Sequence, residues 1–401
     1  MTEKELARQA DETPAPGALA PGVHSGADYA LPAETAALIR EAVPENTALA
    51  YRSRWRSFEA WCRGAGRVAL PATAQTVAAY LTHLAVDRGL KATTADAHLT
   101  AIRAVHRGAG APLPDGLAAR KVVVAAQRRE AARDGRYGPR KAVPVMAADL
   151  PAIVAACDPQ TAAGRRDRAV ILLGFALLAR RAELAALSVS DIEHVRGEGL
   201  AVTIRASKTD QSARGVVRRI HYASAQRLCP VRAVLAWLEY LAAKGVTAGP
   251  LFTRIDRWDN LGAGAGGRYT AAGAPGGPPE ALTTGPGADG EADDGPRSLA
   301  GRDGRLRPQA IGDIVAAACA AAGLTAAGDP AGPASPPATP GDRRYSGHSL
   351  RRGGATSMLK AGAQPLNVSR HGRWADGSRA FAGYVEEATG FGDANPTKGL
   401  L

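Results

Sequence analysis

Ser346-Gly347-His348-Ser349-Leu350-Arg351-Arg352-Gly353-Gly354-Ala355 is the stretch on which the reading of this chain turns. His348 and Arg351 are three residues apart, so on a helix they share a face. A histidine and an arginine aimed at one point suit an anionic oxygen better than an apolar core, because neither is buried cheaply without a polar partner. Ser349 is placed to cap such a helix. Gly353, Gly354 and Ala355 let its other side pack closely. Taken alone, the stretch is also compatible with an exposed, basic start of a helix.

Upstream lies Ala179-Arg180-Arg181-Ala182-Glu183-Leu184, where two arginines close an apolar helix over 170–178 and a carboxylate follows. The plain reading is cations at the negative end of a helix dipole. The sharper one has Arg180 projecting into a site with Glu183 one turn on as its brace. Between the two stretches, residues 200–206 and 216–222 alternate and are rich in β-branched side chains, flanking the turn Ser207-Lys208-Thr209-Asp210-Gln211. They predict an antiparallel hairpin or small sheet with Lys208 at its tip. Downstream come His371-Gly372-Arg373-Trp374 and Phe381-Ala382-Gly383-Tyr384-Val385-Glu386-Glu387. A lone Trp or Tyr there is ordinarily core packing.

The rest of the chain supplies the frame. It has 401 residues, enough for two or three domains. Residues 1–45, rich in Ala, Pro and Gly, predict a flexible arm with one short helix near 36–42. Residues 46–133 carry helical periodicity through Trp55, Phe58, Cys62, Val77, Tyr80, Leu81, Leu84, Leu99, Ile102 and Val105. Thr73 precedes the second run, and Thr93 and Thr94 the third. A bundle of about four helices is expected. Residues 134–146 read as a basic linker. Residues 147–401 form a second domain with helical patterns at 147–157, 167–187, 231–244, 307–323, 349–361 and 365–371. Gly/Pro-rich stretches at 262–296 and 326–342 predict surface insertions.

Composition narrows the classes. Lys and Arg number 50 against 38 Asp and Glu, a formal charge of +12, which suits a polyanionic partner. Cys62, Cys157, Cys229 and Cys319 are scattered, so neither a zinc cluster nor a disulfide framework is expected. The N-terminus lacks the apolar core of a secretion signal, and the longest apolar run, 169–178, is too short to span a bilayer. A cytoplasmic, nucleoid-associated protein follows. No amphipathic basic helix with aromatic anchors points to a membrane surface.

The combination says more than its parts. An Arg-x-Ala-Glu-Leu segment, a lysine in a β-turn, a Gly-His-x-x-Arg helix, a Gly-x-Trp and a C-terminal tyrosine follow in order, and this resembles the tyrosine recombinase (phage integrase) family. The Leu-Leu-x-Arg and Ser-Gly-His-Ser stretches are Cre-like. The resemblance runs from about Thr47 to Glu387 and is weakest in the N-terminal bundle. It implies a mainly α fold with a small antiparallel sheet: a helical core-binding domain joined to a mixed α+β catalytic domain. It implies Tyr384 as nucleophile on a DNA phosphodiester, with Arg180, Lys208, His348, Arg351 and Trp374 around it and Glu183 in support. Arg181 and Arg352 neighbour the two arginines, and His371 is the alternative to Trp374. Arg52, Arg54, Arg56, Lys91 and Arg103 in the bundle, and Arg140 and Lys141 in the linker, become candidate phosphate contacts; each is otherwise a solvated basic side chain. Such contacts position a protein on DNA without reading sequence.

The chemistry is coherent. Two guanidiniums are permanently charged forks matched to phosphate oxygens. A tyrosine, with an ordinary pKa of about 10, must lose its proton during attack, and nearby cations lower that cost. Lys208 suits the role of general acid for the leaving 5′-oxygen. His348 either assists proton transfer or donates to a phosphate oxygen, and Trp374 contributes its indole N–H and its packing. A 3′-phosphotyrosyl link conserves the bond energy, so the family implies no cofactor, ATP or metal. It implies double-stranded DNA as partner and a homotetramer holding two duplexes. The rivals are a type IB topoisomerase, which uses the same chemistry, and a DNA-binding relative that has lost activity.

Overall fold

The computed structural model describes residues 32–35, 38, 42–134, 142–205, 215–262, 304–324 and 345–390. The chain divides into two compact units, Met1–Pro139 and Arg140–Leu401. Most of the expected helix near 36–42, most of the linker, all of 262–296 except Gly262 and all of 326–342 lie outside the described residues.

The first unit is helical: α1 (Glu45–Gly64), α2 (Ala74–Thr82) running into a wider turn at His83–Asp87, α3 (Ala92–Gly108) and α4 (Leu117–Asp134). The periodic apolar positions meet in one cluster of Phe58, Cys62, Val77, Tyr80, Leu81, Leu84, Leu99 and Ile102. Thr73 caps α2 by accepting from the Thr76 N–H at 3.1 Å. Thr93 and Thr94 do not precede α3 but lie inside its first turn, with Lys91 at the cap position. His106 is fully buried. Its Nε2 accepts from the Ala72 N–H at 2.9 Å, so its Nδ1 donates to the Ile102 carbonyl at 2.8 Å. That ring pins the loop before α2 to α3.

The second unit contains α5 (Leu150–Ala155), α6 (Ala162–Ala176), α7 (Arg181–Ala186), β1 (Ile192–Val195), β2 (Gly199–Ile204), β3 (Val216–His221), α8 (Pro230–Ala243), α9 (Pro308–Ala321), α10 (Gly347–Lys360), α11 (Pro365–Gly372) and α12 (Arg379–Thr389). The sheet is antiparallel in the order β1-β2-β3, with Val202 paired to Ile192 on one side and to Arg218 on the other. The hairpin is as expected. The edge strand β1 is additional, its four residues being too short for a period to register. The main core joins α6 to α8, where Trp237 is fully buried and donates its Nε1–H to the Leu251 carbonyl at 2.7 Å. Leu178, Ala355, Leu359, Val368 and Tyr384 form a separate apolar cluster with Trp374, Phe381 and Val385 packed on it.

Two local expectations are corrected. The helix read over 167–187 is broken: α6 ends at Ala176, Leu178 adopts a left-handed φ of 49°, and Arg180 takes the N-cap position of α7 instead of closing α6. Apolar periodicity continues through the break because Leu177, Leu178 and Leu184 are all buried, so the pattern does not register it. Ser346, not Ser349, caps α10. Ser346 Oγ accepts from the His348 N–H at 3.2 Å, while Ser349 Oγ accepts from the Ser346 N–H at 2.9 Å. The small residues of α10 do what the sequence implied. A Cβ on Gly353 would lie 1.6 Å from the Val145 carbonyl oxygen, and one on Gly354 2.5 Å from that of Phe175.

Candidate active site

The break between α6 and α7 is where the polar groups gather. Glu183, at the third position of α7, is buried and takes two donors from Arg180: the backbone N–H at 2.8 Å on Oε2 and the guanidinium Nη1 at 2.7 Å on Oε1. Arg373 Nη2 reaches the same Oε2 at 2.7 Å. Burial works against the Glu183 charge, but Arg373, and then the Arg180 donors, outweigh it and hold the carboxyl below its ordinary pKa.

Arg351, on α10, is 1% exposed and is met by no carboxylate among the described residues. It donates through Nη1 to the Leu178 carbonyl and through Nη2 to the Gly372 carbonyl, the latter at 2.7 Å. Its guanidinium carbon lies 3.8 Å from the centre of the Trp374 ring. Burial, and then the Arg180 charge, push its pKa down to about 9, so it remains a cation at neutral pH. Trp374 in turn meets Tyr384 edge-on, ring centres 5.6 Å apart. Tyr384 is 9% exposed on α12. The Leu178 carbonyl also accepts from Arg373 Nη2 at 3.3 Å, so one strained residue joins both arginines.

His348 lies on the first turn of α10 with its ring open to solvent. Partial burial of the imidazole, then the guanidiniums of Arg351, Arg180, Arg181 and Arg352, hold its pKa below the ordinary value. An anion seated among those cations would offset the repulsion.

Arg180, Glu183, Arg351, Trp374 and Tyr384 are therefore brought together, with His348 close enough to feel both arginines. The neighbouring alternatives point elsewhere. Arg181 donates to Gln309 at 3.0 Å, Arg352 pairs with Glu387 at 2.6 Å, and His371 Nε2 contacts the Ala176 carbonyl at 2.9 Å. Lys208, Arg140 and Lys141 lie outside the described residues. In the first unit Arg52, Arg56 and Lys91 are exposed and Arg54 is half-buried, while Arg103 Nη1 donates to the Pro114 carbonyl at 2.7 Å.

Two arginines were passed over. Arg373 has 5% of its side chain exposed and sits in the left-handed region, φ 61°, at the end of α11, where a glycine or asparagine is usual. The Gly372-Arg373 pair after an amphipathic turn was the available signal. Arg218 on β3 donates to the Arg370 and His371 carbonyls at 2.7 and 3.1 Å, tying the sheet to the end of α11. Nothing in strand periodicity marks that role. Among the described residues no cluster of three His, Cys, Asp or Glu could hold a metal ion.

Comparison with known proteins finds similarity over most of the chain. The family described as "Phage integrase, N-terminal SAM-like domain" matches residues 36–111. The integrase/recombinase XerD homolog of Selenomonas ruminantium is 27% identical over 354 residues, covering 87% of this chain and 84% of that protein. Over most of its length the chain is similar to a tyrosine recombinase. The chain is also 29% identical over 182 residues to the recombinase Cre of Escherichia phage P1, covering 45% of this chain and 52% of Cre. Among solved structures, that of a lambda integrase dimer bound to a COC′ core site is 15% identical, its match covers 87% of this chain and 92% of the lambda chain, and the TM-score is 0.49. The segment matched by the SAM-like family spans α1 to α3. No helix among the chain's described residues is long and apolar enough to cross a membrane.

Proposed function

We propose that this chain cuts and rejoins duplex DNA at a specific site through a transient 3′-phosphotyrosyl link, with Tyr384 as nucleophile. The observation that carries the proposal is the buried Arg351, held by the Leu178 and Gly372 carbonyls and faced by Trp374, which itself touches Tyr384. A buried cation without a carboxylate partner is costly. A phosphate oxygen is the acceptor its chemistry suits.

The phenol oxygen of Tyr384 attacks the phosphorus, forming the P–O(Tyr) bond as the P–O5′ bond breaks. The phenol proton passes to His348 or to water, and the 5′-oxygen takes one from a general acid, the role read for Lys208. Arg180 and Arg351 donate to the non-bridging oxygens as charge builds on them. A preorganised donor of this kind contributes roughly 3 kcal/mol to the transition state. Attack by a 5′-hydroxyl of another strand reverses the bond changes, so one phosphodiester is exchanged for another. Residues 46–133 would close on the duplex, with Arg52, Arg54, Arg56 and Lys91 on phosphates and residues 134–146 linking them to the catalytic domain of 147–401. A homotetramer on two duplexes would supply the partner strands.

The test uses nicked duplexes with a randomised arm, from which covalent capture on the chain selects a cleavable sequence. Capture that disappears in Tyr384→Phe is expected. Capture retained by the Phe variant refutes Tyr384 as nucleophile. Joining between two labelled duplexes separates recombination from relaxation of a single supercoiled circle.

A further inference from the structure

Arg373 touches the site in a way that bracing alone does not explain. Glu183 has two oxygens. Among the described residues Oε1 holds only the Arg180 Nη1 at 2.7 Å, whereas Oε2 is shared by the Arg180 backbone N–H at 2.8 Å and Arg373 Nη2 at 2.7 Å. An arginine beside a carboxylate favours the two-pronged pairing in which both its forks are spent. Here the Arg180 guanidinium meets Glu183 through a single nitrogen, and Arg373 shares the second oxygen with the Arg180 backbone N–H.

We infer that Arg373 is a positioning residue for Arg180: by holding Oε2 of Glu183 it prevents two-pronged capture of Arg180 and keeps the rest of that guanidinium free for a phosphate oxygen. This rests on the reading of the site given under Proposed function. Arg373 differs from Arg351 in having a carboxylate partner, so its charge is already met and it is placed as a brace, not as a phosphate contact. Its side chain is 5% exposed, and its two terminal nitrogens are engaged by Glu183 and by the carbonyls of Leu177, Leu178 and His371. Arg180, by contrast, keeps 19% of its side chain exposed. The arrangement is held at a cost. Arg373 takes a left-handed φ of 61°, and its buried Nε has no partner. A residue serving only to end α11 would be better as glycine, which adopts that φ freely.

The experiment is a double-mutant cycle on the captured duplex, reading single-turnover formation of the covalent complex alongside DNA affinity and melting temperature. Arg373→Met removes the competitor for Oε2. Cleavage should fall on the order of 100-fold, as misplaced groups do, with DNA affinity unchanged. Glu183→Gln alone should also slow cleavage, because Arg180 loses its ionic brace. In the Arg373→Met background the same Gln change should instead raise the rate by about tenfold, since a neutral amide grips Arg180 less tightly. That reversal of sign is the diagnostic: a merely structural clamp predicts a further loss.

Should Arg373→Met fail to fold, the cycle is run on Arg373→Lys, which keeps the charge but holds Oε2 less well, and the same signs are expected. Wild-type rates in the Arg373 variant, or a Gln change that slows both backgrounds, overturn the inference while leaving the phosphotyrosyl reading intact. A wild-type chain that captures no DNA refutes that reading, and this inference with it.

Discussion

Arg351 and Trp374 are in face contact, the guanidinium carbon 3.8 Å from the ring centre. The indole covers one side of a cation that carbonyls hold on its edges, so the positive charge is fixed in place without being neutralised. A site of that kind is ready for an anion before one arrives.

Removing the ring should expose this cation and loosen Tyr384 together. Trp374→Ala is expected to cost about 3 kcal/mol of stability and to slow cleavage, while Trp374→Phe keeps part of both. Chemical denaturation and single-turnover cleavage check the pair. A Trp374→Ala protein that cleaves at the wild-type rate would exclude the ring from the site.

Gly353→Ala should be among the most damaging of small substitutions. Its Cβ would fall 1.6 Å from the Val145 carbonyl oxygen, and backbone cannot swing aside as a side chain does. A loss of about 3 kcal/mol is expected from the forced shift, read as a lower denaturation midpoint. Ala at Gly362, where a Cβ meets nothing within 4 Å but φ is +88°, should cost only the strain of that backbone, about 1 kcal/mol.

Acid should destabilise the second unit through His371. Burial, and then Arg373 and Arg218, hold its pKa below the ordinary 6.5, with the Ala176 carbonyl opposing them. The unfolded chain therefore takes up the proton first. Stability is complete above about pH 6.5 and falls as the pH drops through and below that value. Melting temperature should decline between about pH 7.5 and about pH 5.5, and less so in His371→Gln. An equal decline in both would assign the acid sensitivity elsewhere, His348 sharing the same sign.

The basic residues of the first unit should part into two groups. Arg52→Ala and Arg56→Ala, on exposed positions of α1, are expected to weaken DNA binding with little change in melting, each lowering the slope of log affinity against log salt by about 1. Arg103→Ala should instead lower the melting temperature, because its Nη1 is committed to the Pro114 carbonyl. Titrations across salt and thermal melts distinguish the groups.

The legible part of this protein was what periodicity and spacing carry. The bundle core, the hairpin and the His348–Arg351 face of α10 could be read directly, since each repeats a physical period. The break at Leu178 could not. Buried leucines continue through it, and what sustains the reversal is a pair of guanidiniums from residues 351 and 373, far along the chain. Arg373 stayed hidden for the same reason: a single arginine in a left-handed turn has no pattern, only partners. Ser349 was misread because serines at both 346 and 349 can begin a capping box, and only the backbone geometry decides which leads.

The apolar cluster around Tyr384 stands apart from the main core, and α12 is fastened to the body by little else than that patch and the Arg352–Glu387 pair at 2.6 Å. The proposed nucleophile thus rides on a segment docked through a small apolar patch of its own. On the proposed reading, undocking of that eleven-residue segment would withdraw the phenol while leaving the main core whole.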